Sequence, residues 1–405
     1  MLRLPKTSPT LQDRPLGVIE TRMALLHSRH AGTTQVTTIV RLRGWIGPGD
    51  LMARAKACFD RFPLLRCRIA LRDEGLWFEE HDDLTRIECV SMPREDAEHW
   101  KREALNELNR PLDQGNALWR CRLLRDPAGA DHELILTRAH AISDGQGTSE
   151  LIDFWLSEEP SIRHAALPPS IDSWEAAPPS APSARRLPLR TFPDPGAPRA
   201  HCHWFELSAG STAAFEAQAR ENGLSLHSLL GARFVRACAA AGLGARLDLG
   251  FAASLRSRMG TEADDYKGVC AIGVATAQGL DACLPELELA RAYGDAIRRE
   301  APRLPRRRQW SDRETLRSRI LDIAGPAPSS QIGITDLGRV QVSTRYPRLE
   351  VVGFHSSASR RSGHPAVTLH ASRLDGRLSL ALTWAGEKLA PEVISNITRH
   401  LMEEK

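Results

Sequence analysis

A histidine, an aspartate and a glycine stand at His140-x-x-x-Asp144-Gly145, near the end of the stretch ELILTRAHAISDGQG at 133–147. An imidazole with an ordinary pKa near about 6.5 can take a proton from a hydroxyl or an amine as that group attacks an acyl carbonyl, and can return it to the leaving group. No serine or cysteine sits in a recognisable strand-to-helix nucleophile elbow. The run Leu134 to Thr137 has the apolar and β-branched content of a strand. After Asp144 and Gly145 the spacing of Leu151, Phe154 and Trp155 predicts a helix. His140 is therefore expected where a strand ends and the chain turns, a place where a rigid scaffold holds a group that substrate can still reach.

The elements around this turn are readable in outline. Val36 to Arg43 alternates as a strand, and Asp50 opens a helical pattern through Leu51, Ala55 and Phe59. FPLLRCRIAL and GLWFEEH read as two strands joined at Arg72-Asp73-Glu74-Gly75. Residues 96–109 read as a helix and ALWRCRLL as another strand. From 158 to 200 the chain becomes dense in proline, alanine and serine, a composition that builds no core and reads as an extended crossover. Beyond it come a strand (HCHWFEL), a capped helix ending at Gly223 and an apolar helix over LSLHSLLGARFVRACAAAG. Two alternating runs about Asp375-Gly376 predict a hairpin, and PEVISNITRHLMEE a final helix. The simplest architecture is two mixed α/β units, over 1–165 and 200–405, joined by a proline-rich linker at 166–199.

With 405 residues, 42% of them hydrophobic, the chain can bury sizeable cores. Its 54 Lys plus Arg against 50 Asp plus Glu leave a formal charge of +4, too mild to imply nucleic acid. The 8 cysteines are scattered without a C-x-x-C pair, which predicts free thiols in a reducing compartment. The first residues lack the apolar core of a signal peptide, and no window offers about 18 uninterrupted apolar residues, so a cytoplasmic location without a membrane span is expected. His201 and His203 share one strand face as a zinc pair could, but no third ligand stands at useful spacing and no metal is expected. His355, His364 and His370 read as scattered surface or partly buried residues. Arg306, Arg307 and Arg308 read as a solvated loop, with a contact to an acidic partner or phosphates as the other reading.

With these pieces in order, the chain resembles the chloramphenicol acetyltransferase-like superfamily, which includes peptide-synthetase condensation domains, alcohol acyltransferases and mycobacterial polyketide-associated acyltransferases. FPLLRCRI looks like the family's HPLLR segment with Phe62 in place of His. AHAISDG matches the HHxxxDG signature with Ala139 in place of the first His, and NRPLDQGNALWRCRLL, LSLHSLL, ASLRSRM and ITDLGRV resemble further segments in the family's order. The resemblance implies two acetyltransferase-like subdomains in a V-shaped pseudo-dimer with a central channel. It implies His140 as the residue acting on the nucleophile, and Asp144 paired with an arginine that holds the loop. Arg256 falls at the family's arginine, with Arg258 as the alternative. Gly145 is expected where a side chain would crowd the entry to the helix. Ser143 and Thr335 are the candidates for donors to the oxyanion.

The activity so implied is acyl transfer from a thioester, on coenzyme A or a phosphopantetheinyl carrier protein, to a hydroxyl acceptor in secondary-metabolite or lipid biosynthesis. No tightly bound cofactor is expected. The partners are an acyl or peptidyl carrier protein and a small alcohol or amine. The rivals are a free-standing condensation enzyme that forms an amide, and a non-catalytic module that recruits a carrier protein or an oxidase.

Overall fold

The structure is a computed structural model that describes residues 13–47, 49–72, 75–126, 129–159, 167–170, 187–188, 196–256, 270–304, 331–361, 365–386 and 389–403. In chain order, its first half runs β1 (Asp13–Pro15), α1 (Val18–Arg29), β2 (Val36–Gly44), α2 (Asp50–Arg61), β3 (Cys67–Arg72), β4 (Gly75–Glu80), β5 (Cys89–Pro93), α3 (His99–Asn109), β6 (Trp119–Arg125), β7 (Asp131–Arg138), α4 (Gly145–Ser157) and β8 (Leu187–Pro188). The second half runs β9 (Ala200–Leu207), α5 (Ala209–Glu221), α6 (Leu226–Ala240), β10 (Arg246–Ser254), β11 (Ile272–Asp281), α7 (Glu286–Glu300), β12 (Ile332–Arg339), β13 (Leu349–Ala358), β14 (Val367–Leu374), β15 (Arg377–Ala385) and α8 (Pro391–Met402). No helix among the described residues is long and apolar enough to cross a membrane.

Among the described residues three sheets form: β1-β4-β3-β8, β13-β2-β7-β6-β5 and β11-β10-β12-β14-β15-β9. β7 is buried along nearly its whole length between β2 and β6, with Leu134, Ile135 and Leu136 apolar in succession at its centre. Its neighbour β2 is buried at both Thr37 and Thr38. Those two hydroxyls are matched across the sheet, Thr37 to Thr137 at 3.1 Å and Thr38 to Ser356 at 3.0 Å, so their burial leaves no polar atom stranded.

The third sheet carries the predicted hairpin. β14 and β15 pair antiparallel from Val367↔Trp384 to Leu374↔Arg377. Asp375 and Gly376 take φ of 48° and 71°, the positive values that a two-residue turn of this twist requires. α6 is capped by Ser225, whose hydroxyl accepts from the Ser228 N–H at 3.0 Å, and it buries Leu229, Leu230, Phe234, Val235 and Cys238 against the sheet. A cavity of about 520 Å³ beside α6, lined in part by Arg233, Arg236 and Cys283, contains no residue of the His140 turn.

Two features depart from the sequence reading. FPLL, expected as the start of a strand, is a 3-10 turn over Pro63–Arg66. Pro63 fixes its own φ and has no N–H to give a ladder, while Phe62 packs edge-on against Phe154 of α4 at 5.6 Å between ring centroids. The second is β13. Although it lies far along the second half of the chain, it pairs antiparallel with β2 from Leu349↔Gly44 to Ala358↔Val36 and completes the sheet that carries β7. Sheet membership therefore crosses the division drawn at 199/200. A mixed core cluster follows from it, with Val351, Phe354, Cys270 and Ala271 packed among residues of the first half. Most of the proline-rich crossover lies outside the described residues, but Leu187–Pro188 adds to the edge of β3.

Candidate active site

His140 opens a 3-10 turn, His140–Ile142, directly after β7, and α1 packs against that turn. Ala139 lies in the core at 1% exposure, whereas His140 is half-buried. The methyl at the position of the missing first histidine thus fills an apolar site on which the ring does not depend.

Asp144 ends the turn and begins the helix. Its Oδ1 accepts from the Gly147 N–H at 2.9 Å, an N-cap of the kind worth about 1 kcal/mol. The same carboxylate reaches into the second half of the chain. Arg256, just beyond β10, donates Nε to Oδ2 and Nη2 to Oδ1, both at 2.9 Å, and the Ala271 N–H donates to Oδ2 at 3.1 Å. The pairing with Arg256 is the one expected; Arg258, the alternative, lies outside the described residues. Both partners are buried, Asp144 at 2% and Arg256 at 7% exposure. Burial lowers the pKa of Arg256, but the hydrogen bonds and charge of Asp144 outweigh it and raise the guanidinium above its ordinary value. Asp144 is a clamp, and with these four donors it has no role as a second base.

A second arginine, which the sequence reading did not single out, holds the turn from below. Arg138, the last residue of β7, is 1% exposed and donates to the carbonyls of Ser143 at 2.8 Å and Asp144 at 3.2 Å. Burial pushes its pKa down to about 10. A charged residue directly after the run Leu134–Thr137 was the available signal. Ser143, one of the two oxyanion candidates, is used within the same turn: its hydroxyl donates to the Asp144 carbonyl at 3.0 Å and lies 3.3 Å from Thr148 Oγ1. At 4% exposure, it is a structural hydroxyl and not a donor to substrate.

Gly145 has a concrete reason to be glycine. A Cβ there would come 2.1 Å from Leu337 Cδ2 and 3.3 Å from Leu337 Cγ, on β12. Gly145→Ala should therefore destabilise the protein by about 1–3 kcal/mol through overpacking. Adding Leu337→Ala should recover most of that loss in denaturant melting; no recovery would place the strain elsewhere.

Around His140 itself the second half of the chain supplies two groups. Cys270 Sγ lies 3.7 Å from His140 Nδ1. His370, on β14, is close enough that the charge of His140 helps lower its pKa, after burial and Arg360, to about 3. His370 is buried, contrary to its reading as one of several scattered histidines. It bridges two hydroxyls, Thr335 Oγ1 to Nδ1 and Thr383 Oγ1 to Nε2, each at 2.9 Å. His355 is buried too, with Nε2 at 2.9 Å from Glu206. His364 and Arg306, Arg307 and Arg308 lie outside the described residues.

Burial pushes the pKa of His140 down to about 4, and the charge of Arg138 adds to the shift. Backbone hydrogen bonds at His140 and Ser143 and the charge of Asp144 act the other way. At neutral pH the ring is therefore an uncharged imidazole with one nitrogen lone pair, the form that accepts a proton.

Residues 196–383 match the family model described as phthiocerol/phthiodiolone dimycocerosyl transferase C-terminus. No curated protein sequence matches the chain. Among solved structures, the chain is similar to polyketide synthase associated protein 5 from Mycobacterium tuberculosis, with 16% identity and a TM-score of 0.65 over 96% of this chain and 97% of that one. It is also similar to the trichothecene 15-O-acetyltransferase from Fusarium sporotrichioides, with 13% identity and a TM-score of 0.71 over 98% of both chains. The condensation domain of the monacolin K polyketide synthase MokA aligns at 12% identity and a TM-score of 0.67, over 97% of this chain and 96% of that one. Near-complete coverage by these structures shows that the chain shares their mixed α/β fold, and its second half matches the dimycocerosyl transferase C-terminal model.

Proposed function

We propose that the chain is an acyltransferase that moves an acyl group from a thioester to a hydroxyl, with His140 as general base. The observation that carries this reading is the clamp of Asp144 on Arg256 and Ala271. It ties the His140 turn to the second half of the chain and so fixes an uncharged imidazole at the meeting of the two halves. The donor is a coenzyme A thioester or a phosphopantetheinyl carrier protein. A hydroxyl acceptor is favoured because the matched family is described as a dimycocerosyl transferase and a structural relative as an O-acetyltransferase.

His140 Nδ1 faces Cys270, which leaves Nε2 for the acceptor. As the acceptor oxygen bonds to the thioester carbon, Nε2 takes the hydroxyl proton. When the tetrahedral intermediate collapses, the carbon–sulfur bond breaks and the imidazolium returns the proton to the thiolate, giving an ester and a free thiol. Thr335 is assigned as a donor to the oxyanion. Its hydroxyl lies 2.9 Å from His370 Nδ1. His370 in turn lies between this hydroxyl and that of buried Thr383, 2.9 Å from its Nε2.

Product mass tests the reading. With a productive pair, the acceptor should gain one acyl group and lose one hydrogen as the donor thiol is freed. The pH profile follows from the depressed pKa of His140. A base works only when deprotonated, so kcat/KM should be level from neutral pH down to about 5 and fall as pH drops through about 4. An acid limb near about 6.5, the ordinary imidazole value, would contradict the buried site.

A further inference from the structure

The six-stranded sheet of the second half has two unlike faces, because side chains alternate along its strands. Ile332, Ile334, Val367, Leu369, Leu380 and Leu382 belong to the core cluster shared with α6 and α7. Their neighbours in sequence, among them Thr335, Thr368, His370 and Thr383, stand on the other face. The parallel ladder between β10 and β12 runs from Leu249↔Ile332 to Phe251↔Ile334 and stops, so Thr335 is the first residue of β12 beyond it. Both sides of this opening reach the His140 turn. β10 leads to Arg256, which holds Asp144, and Leu337 of β12 packs on Gly145.

His370 stands opposite Thr335 in the β12–β14 ladder, with Thr335 Oγ1 at 2.9 Å from Nδ1 and Thr383 Oγ1 at 2.9 Å from Nε2. Burial first, then the charges of Arg360 and His140, keep the ring neutral at working pH, so it has one N–H and one bare nitrogen. The more buried hydroxyl decides which is which. Thr383 is 0% exposed, and among the described residues its hydroxyl has no hydrogen-bond partner other than His370. With the ring proton on Nε2, Thr383 would accept it and its own O–H would be stranded in the core, a cost that buried donors avoid. With the proton on Nδ1, the bare Nε2 accepts from Thr383 and Thr335 accepts from Nδ1–H. The half-buried Thr335 hydroxyl then keeps its own proton for a partner in the opening.

We propose that Thr383 and His370 are the positioning residues of the oxyanion donor: Thr383 donates to His370 Nε2, His370 Nδ1–H donates to Thr335, and the Thr335 proton is thereby aimed at the thioester carbonyl oxygen. The proposal rests on the reading of the site as an acyl-transfer centre with His140 as base. As the acceptor oxygen bonds to the thioester carbon, the π pair of the carbonyl moves onto its oxygen, and Thr335 O–H donates a hydrogen bond to that charge. The pair returns as the carbon–sulfur bond breaks, and no proton leaves His370 at any step. The rival role is structural, with His370 only satisfying two hydroxyls between strands.

Two measurements on the full chain separate these roles. Nitrogen NMR of protein labelled in its histidine rings reads the tautomer, the His370 signals being identified by their loss in His370→Gln. A protonated Nδ1 and a bare Nε2 are expected; a proton on Nε2 would overturn the proposal. Kinetics supply the second readout. Loss of one oxyanion donor typically costs about 10²–10³-fold in kcat. Thr335→Val should therefore lower kcat by about that factor with little change in KM, and Thr335→Ser should restore most of it. Thr383→Val should lower kcat by about 10–100-fold, as loss of an orienting group typically does, yet have no further effect in Thr335→Val, because it acts through that hydroxyl. The same loss in both backgrounds would assign Thr383 and His370 a structural role and overturn the proposal. So would wild-type kcat in folded Thr335→Val, and this result and the tautomer decide if Thr383→Val does not fold. Acyl transfer that survives His140→Ala would instead remove the general-base reading on which the proposal stands.

Discussion

Replacing His140 with alanine should lower the rate of acyl transfer by about 10²–10⁴-fold, the range supplied by a positioned general base. The loss should appear in kcat and in kcat/KM together, because the proton is taken only as the acceptor attacks. The fold should remain. His140 is part-exposed at the end of β7, and the turn it opens is held by Arg138, Asp144 and Arg256 rather than by the imidazole. Thiol release read beside circular dichroism separates the two effects. A His140→Ala protein that is folded and fully active would assign the ring a structural place only.

The second large effect is on stability. Arg256→Ala leaves the Asp144 carboxylate, 2% exposed, without its cation. Breaking a buried pair from one side typically costs about 3–5 kcal/mol, a large part of the stability of a domain. Arg256→Lys should recover little, because a single ammonium cannot reproduce the two parallel bonds from Nε and Nη2. Denaturant unfolding checks this. A loss within about 0.5 kcal/mol, as for an exposed residue, would mean that Asp144 and Arg256 do not close the site. The two experiments pull apart chemistry and scaffold: the first should slow turnover in a stable protein, the second should weaken the protein that presents the base.

What could be read from the sequence was what is local. The hairpin at 367–385 announced itself because Asp375-Gly376 and the alternation on either side lie within one short stretch. The His140 turn was legible for the same reason, since an apolar run, a motif and a helical pattern follow one another without a gap. Arg256 was reached through the resemblance, for nothing in ASLRSRM alone says that its side chain meets an aspartate 112 positions earlier. The groups that were missed are those brought in by topology. Cys270 is 130 positions from His140 in a segment with no motif. Nothing in LEVVGFHSSA names a partner, and only the folded sheet shows that β2 is the neighbour of β13. Arg138 was hidden differently: read as the end of a strand it looks solvated, and its burial follows from carbonyls of a turn whose shape is set afterwards. His370 looked like a scattered histidine until Thr335 and Thr383 were seen on either side of it.

The most direct measurement of the account is free-thiol release by the purified chain, supplied with acyl thioesters on coenzyme A and on carrier protein, in the presence and absence of mixed alcohols and amines. Direct transfer with His140 as base predicts release that requires an acceptor, yields an acylated product of matching mass and disappears in His140→Ala. Product from an amine alone would make the chain an amide-forming enzyme with the same base. No release from any donor, by a folded protein that still binds a carrier, would contradict the account and identify the chain as a recruitment module.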